Sequence, residues 1–371
     1  MQQIIITKES EGQRLNKYLG KYFDAAPQSF LYKMLRKKNI KWNHQKASGN
    51  EILTDGDIIE IYMADETIGK FRKNGQVPVL EDAVYNKHFV NCEEKQAREN
   101  LLKEPCIHSS VMNNPLSGIE ILYEDEDILL LNKPAGILSQ KATADDYSLN
   151  ERVVDYYHTK ATYNSLFTPS VCNRLDRNTS GIILAGMSLK GSRVLSRMLK
   201  ERILDKYYLT IVSGKIMKPS VIKGFLTKKT SHNQVVIYQT LEEAKKNGVD
   251  KPAFIETRYE PIMCGTFHNM DFTLLKVKLI TGKTHQIRAH LCSVGHPIAG
   301  DGKYGRKSVN VVLKKEFGLK YQLLHAYELS FPAEGKGEIP ETLRGKVFRS
   351  RPPKQFLEFS EALFGSDGRL E

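Results

Sequence analysis

The chain has 371 residues, a length that suits two or three domains, and 40% of them are hydrophobic, enough for a globular core. Its formal net charge of +12 points to a polyanionic partner, because Lys and Arg release counterions from phosphates. No run of about 18 apolar residues occurs and no apolar signal core opens the chain, so neither a membrane span nor secretion is expected, and the expected location is the cytoplasm.

Helical spacing of Leu15, Tyr18, Leu19, Tyr22 and Phe23 predicts a first helix, and Phe30, Leu31, Met34 and Leu35 predict a second. The second carries Lys33, Arg36, Lys37 and Lys38, with Lys41 just beyond and no acid among residues 31–41. Such a run is either a solvated face or a surface for RNA. A strand at 40–43 and another at 58–62, entered through the turn Asp55-Gly56-Asp57, complete this region, taken as residues 1–68. Residues 69–118 are polar and irregular and read as a linker or insertion, with a short charged helix over 93–103.

Strands are predicted at 119–123, 128–132, 182–186, 207–212, 254–260, 271–280 and 322–331, and helices near 149–159, 188–200 and 283–294. This pattern predicts an α+β domain over 119–355 around a largely antiparallel sheet. The stretch 232–252 looks inserted, with a helix over 242–246, and 356–371 reads as a C-terminal tail.

The segment Asn173-Arg174-Leu175-Asp176-Arg177-Asn178-Thr179-Ser180-Gly181 sets one acid between two arginines. Its second half favours a tight turn, because those side chains bond to nearby backbone and the Gly tolerates positive φ. An apolar strand follows. A fixed cation can hold such a carboxylate ionised, as a nucleophile or base requires. From these residues alone, a structural turn with surface ion pairs is the commoner reading.

Two lookalikes fail. Gly282-Lys283-Thr284 suggests a phosphate loop, but Val277 stands where the loop's first glycine belongs. His285, His290 and His296 lack metal-ligand spacing and read as hydrogen-bonding groups or phosphate contacts. The five cysteines are scattered with no Cys-x-x-Cys, so neither a zinc site nor a disulfide framework is indicated and reduced thiols are expected.

The nine-residue segment resembles the central motif of the RluA-type pseudouridine synthases, whose usual first residue is His where this chain has Asn173. Four further segments follow the family's order: Leu129 to Gly136 with its Lys133-Pro134-Ala135-Gly136 turn, Lys206 to Gly214, Thr281 to Leu291 continuing to Tyr304-Gly305, and Leu323-Leu324-His325-Ala326. The similarity spans roughly residues 119–335. Residues 11–65 resemble, more loosely, the αL-type RNA-binding domain.

The resemblance implies isomerisation of uridine within RNA, on the pseudouridine synthase fold with a mixed sheet. That reaction breaks the bond between uracil and ribose, turns the base and rejoins it through carbon. There is no redox change, so no cofactor and no metal are expected. The resemblance makes Asp176 the catalytic acid, either nucleophile or base. It makes Arg288 the partner of that acid and Tyr208 the active-site tyrosine. Tyr207 creates a register ambiguity, which counting back six residues from Gly214 resolves toward Tyr208. Arg174 is expected to fill the space a flipped base leaves. Arg177, Lys283, His285, Gln286, Lys33, Arg36, Lys37 and Lys38 are the other expected RNA contacts. Large-subunit ribosomal RNA is the expected substrate, with transfer RNA or a non-catalytic RNA-binding role as alternatives, and the chain is expected to be a monomer.

Overall fold

The computed structural model describes residues 2–8, 10–72, 114–160, 166–229, 234–334 and 339–365. Its contacts divide the chain into two units, residues 1–113 with 164–167, and 114–163 with 168–371.

In the first unit, β1 (Gln2–Ile5), α1 (Leu15–Tyr22), α2 (Gln28–Arg36), β2 (Ile40–Trp42), β3 (Gln45–Lys46), β4 (Ile58–Ile61) and α3 (Asp65–Lys70) follow one another. The strands form an antiparallel sheet ordered β1-β4-β2-β3. Both expected helices form, because each buries its apolar stripe: Leu15, Tyr18 and Leu19 from α1, Leu31, Met34 and Leu35 from α2. Lys33 and Arg36 are exposed on α2, and Lys37 and Lys38 are exposed just past its end. The unit runs past the expected limit at residue 68. Ile68 is buried in its core and the Phe71 ring lies 4.1 Å from that of Phe30. The greater part of the expected linker, with its helix at 93–103, lies outside the described residues.

The second unit is built on one large sheet. Its strands are β5 (Glu120–Glu124), β6 (Ile128–Lys133), β7 (Ser170–Val171), β8 (Ser180–Gly186), β9 (Asp205–Ser213), β10 (Ser220–Lys229), β11 (Gln234–Tyr238), β12 (Ala253–Phe267), β13 (Met270–Leu279), β14 (Leu324–Ser330) and β15 (Val347–Arg349). The main order is β11-β10-β12-β13-β9-β14-β8-β6-β5, with β7 on β8 and β15 on β14. Every described pairing is antiparallel except β14 with β8. The helices are α4 (Leu149–His158), α5 (Leu189–Lys200), α6 (Leu241–Lys246), α7 (Gln286–Ser293), α8 (Lys307–Phe317) and α9 (Lys354–Phe364). The architecture is thus α+β, with a largely antiparallel mixed sheet flanked by helices in one unit and a small sheet with helices in the N-terminal unit.

One face of the sheet packs Ile182 and Leu184 against Leu195 and Met198 of α5. Leu209, Ile211, Phe272 and Leu274 pack against Val309 and Leu313 of α8 and Phe356 and Phe359 of α9. Strand alternation therefore turns Tyr208 to the opposite face. Residues 356–365, expected in a tail, belong to this core. Phe359 is fully buried, with its ring edge-on to Phe272 at 5.1 Å. The apparent insertion at 232–252 is half of a hairpin: β11 pairs with β10, and α6 follows it. The helix expected from 283 begins at Gln286, because His285 sits in the left-handed region with φ 53°. No helix among the described residues is long and apolar enough to cross a membrane.

Candidate active site

The turn carrying Asp176 is fastened at Asn173, Leu175 and Arg177. Asn173 Oδ1 accepts from the Leu184 N–H at 2.8 Å, clipping the segment to β8. The Ser139 hydroxyl donates to Leu175 O at 2.8 Å and accepts from Leu175 N at 3.0 Å. Arg177 O accepts from Gly136 N and from Lys133 Nζ. The Lys133 amine also donates to Pro134 O and Ile137 O at 3.0 and 2.8 Å. Burial pushes this amine down to about 7, against the pull of Asp176. Its three carbonyl acceptors match the three hydrogens of an ammonium, so the geometry satisfies the charged form. Gly181 ends the turn at φ 115°, where an added Cβ would lie 2.3 Å from Ala326 O. Only glycine lets β8 and β14 approach this closely. Next to it, the Ser180 hydroxyl meets His325 Nδ1 at 2.8 Å, and His325 Nε2 meets Ser350 O at 3.0 Å. Burial pushes His325 down to about 4, so the ring is neutral in this contact.

The side chain of Asp176, 24% exposed, points at Arg288, whose Nη1 donates to Oδ2 at 2.8 Å. Arg288 is itself anchored from behind. Its Nε and Nη2 donate to the two oxygens of Asp301 at 2.7 and 2.9 Å, and the Asp301 side chain is 0% exposed. Burial disfavours the charge on Arg288, but the two carboxylates outweigh it and the guanidinium is raised above its ordinary value. Burial likewise pushes Asp301 up, and the bonds from Arg288 and from the Lys303 and Tyr304 amides bring it below its ordinary value. Among the described residues nothing bonds to Asp176 Oδ1, so one oxygen is pinned and the other is free.

Tyr208 is buried, and its phenol is raised by burial and by the charge of Asp176, so it keeps its proton. Tyr207 lies under Lys276 and Lys278, 4.5 and 5.4 Å from its ring centre. His285 places Nε2 3.8 Å from Asp176 Oδ2 and Nδ1 3.0 Å from the Tyr304 hydroxyl. The structure thus brings Asp176, Tyr208, Arg288 and His285 together. Arg174 and Arg177 are exposed on either side of Asp176, and Lys283 is exposed before α7. Arg177 Nε donates to Gly136 O. Arg174 makes no bond among the described residues.

Gln286 departs from its expected role as an RNA contact. It is 2% exposed, its Oε1 accepts from Thr281 Oγ1 and Lys283 N, and its Nε2 donates to Glu256 O and Thr257 Oγ1. An amide so occupied holds the loop before α7 to β12. His290 is buried and His296 half-buried. His290 Nδ1 meets Thr257 Oγ1 at 2.8 Å, and His296 Nδ1 donates to Ser213 O at 3.0 Å. Sequence reasoning gave no role to Lys133, Ser139, Asp301 or Tyr304. Lys133, Asp301 and Tyr304 stood inside the quoted motifs, but their work depends on partners across the fold.

One half-pinned carboxylate beside a buried arginine, with a buried phenol in its field, suits a rearrangement driven by a single acid residue. The profile of the family described as RNA pseudouridylate synthase matches residues 127–293. The ribosomal large subunit pseudouridine synthase C of Pasteurella multocida is 30% identical over 336 residues, 90% of this chain and 87% of that protein. The proteins of the same description from Haemophilus influenzae and Escherichia coli are each 28% identical, over 96% and 91% of this chain and 94% and 90% of theirs. The chain belongs to the RNA pseudouridylate synthase family, and is accordingly an isomerase.

Proposed function

We propose that the protein converts uridine to pseudouridine in large-subunit ribosomal RNA, with Asp176 as its catalytic carboxylate. The observation that carries this is the Asp176–Arg288–Asp301 chain, which fixes one oxygen of Asp176 and leaves the other without a partner among the described residues. Asp176 Oδ1 attacks the sugar or removes a proton from it, and either course frees the uracil to turn and rejoin through carbon. Tyr208 forms the apolar wall beneath the base, with its hydroxyl kept as a phenol. Arg174, exposed and unpaired among the described residues, fills the place of the extruded base; Arg177 and Lys283 contact the RNA around it. Lys33, Arg36, Lys37 and Lys38 supply a phosphate-binding surface on the first unit. The relatives' names support the ribosomal substrate. The enzyme works in the cytoplasm as a monomer and without a cofactor.

The test is incubation of purified protein with unmodified ribosomal and transfer RNA transcripts, mapping pseudouridine by carbodiimide-blocked primer extension, with Asp176→Ala alongside. A stop in large-subunit RNA with wild type only is expected, with RNA affinity largely unchanged in the variant. Turnover by Asp176→Ala refutes the site assignment, and stops confined to transfer RNA refute the substrate.

A further inference from the structure

His285 is held in a way that a surface contact to RNA does not require. It is a non-glycine residue at φ 53°, ψ 17°, a region that side chains other than Asn, Asp and His rarely adopt. Such a backbone persists where the surroundings fix it, and it is concentrated at working sites. The ring itself is held by Tyr304. Its hydroxyl oxygen accepts from the Val235 N–H of β11 at 3.0 Å and lies 3.0 Å from His285 Nδ1. A phenol has one hydrogen to give. With Val235 donating into the oxygen, the hydrogen-bond count closes when Tyr304 O–H donates to Nδ1. Burial raises Tyr304 above its ordinary value, so that hydrogen is retained.

The consequence falls on the other ring nitrogen. Burial lowers His285 below its ordinary value, with Arg288 and Lys303 acting in the same sense and Asp176 and Asp301 opposing them. A neutral ring that accepts at Nδ1 carries its hydrogen on Nε2. That nitrogen stands 3.8 Å from Asp176 Oδ2, the oxygen already held by Arg288. The gap exceeds a hydrogen bond by about 1 Å.

We propose that His285 is a positioning residue for Asp176: Tyr304 holds its ring as the Nε2–H tautomer, and closure around RNA brings that hydrogen onto Oδ2 beside Arg288. Two donors then occupy one oxygen and fix the carboxylate plane, so Oδ1 alone meets the sugar. Tyr304 also ties the ring to β11, so the β10–β11 hairpin and the carboxylate are coupled through one phenol. This inference rests on Asp176 being the reacting group, as proposed above.

The experiment uses the full chain labelled with 15N-histidine, read by imidazole 15N–1H correlation at neutral pH, together with single-turnover kinetics on the RNA transcript. Wild type is expected to show His285 as the Nε2–H tautomer, and Tyr304→Phe to show a mixture of the two. His285→Phe is expected to lower the turnover rate about 10- to 100-fold, as loss of a hydrogen bond to a charged group does, with RNA affinity within about twofold. His285→Gln, whose amide can place an N–H near the same point, is expected to recover part of that loss at an unchanged melting temperature. An Nδ1–H tautomer in wild type overturns the proposal. So does an His285→Phe variant that loses RNA affinity at an unchanged rate, which would make the ring a contact to RNA. Turnover by Asp176→Ala would instead sink the reading of the site, while the tautomer remains measurable without any activity.

Discussion

Replacing Asp301 by Asn tests whether the buried acid behind Arg288 is what makes the site work. Asp301 accepts four hydrogen bonds: Arg288 Nε at Oδ2, and Arg288 Nη2, Lys303 N and Tyr304 N at Oδ1. An Asn that keeps its oxygen on the three-donor side turns its NH2 toward Arg288 Nε, donor against donor. One charge-assisted bond is lost, worth about 1.5–3 kcal/mol. The charge that offsets the buried guanidinium goes with it, and breaking a buried pair from one side costs about 3–5 kcal/mol. Asn retains part of the network, so a stability loss of roughly 2–4 kcal/mol is expected from urea unfolding. Arg288 is then left with Asp176 as its remaining carboxylate and turns toward it, displacing Oδ2. Single-turnover isomerisation should fall by about 10-fold or more, the equivalent of 1.4 kcal/mol, with RNA affinity nearly unchanged. A variant with wild-type rate and a stability change below about 0.5 kcal/mol would show that Arg288 needs no anchor.

Other expectations concern separate parts of the molecule. Lys37→Ala with Lys38→Ala should weaken RNA binding and reduce the slope of log affinity against log salt by about 1.4–1.8; an unchanged slope makes that helix face merely solvated. Gly181→Ala forces a Cβ to 2.3 Å from Ala326 O at φ 115°, and should cost at least about 3 kcal/mol in chemical unfolding; a near-neutral result would mean that β8 and β14 can part freely. His325, at about 4 folded against 6.5 unfolded, binds its proton more readily in the unfolded chain. Its stabilisation is complete above pH 6.5 and is lost as pH falls toward 4, by roughly 3 kcal/mol. His325→Gln should flatten that decline, and a parallel decline in both proteins would refute the assignment.

The parts of the fold legible in the sequence are those where a local pattern meets its own burial. The stripe Leu31, Met34, Leu35 marked α2, and the unbroken run at 182–186 marked β8, because each is decided by a face the segment itself presents. β10 was missed because Lys223 and Gly224 split its hydrophobics into two pairs, of which only Leu226 is buried. α9 was missed because Phe356 and Phe359 look like scattered aromatics until Phe272 from another strand covers them. In the site, Asp176, Tyr208 and Arg288 were reached through motif resemblance, and no spacing rule would have joined residues so distant in sequence. Asp301 and Tyr304 act through partners on other elements, so their chemistry becomes visible once α7 is docked. Gln286 shows the opposite case. A polar residue beside a site looks like a ligand contact until its four hydrogen bonds are counted.

The place of β14 has a bearing on how the protein is made. The strand lies between β8 and β9, yet Leu324 emerges roughly 110 residues after the end of β9 at Ser213. At about 5–20 residues per second, β8 and β9 wait on the order of 5–20 seconds with their facing edges unpaired. Open edges of that kind are templates for pairing with other chains. During synthesis, then, the middle of the sheet is the last part to be closed, and the nascent chain is at its most vulnerable where the finished enzyme is most deeply buried.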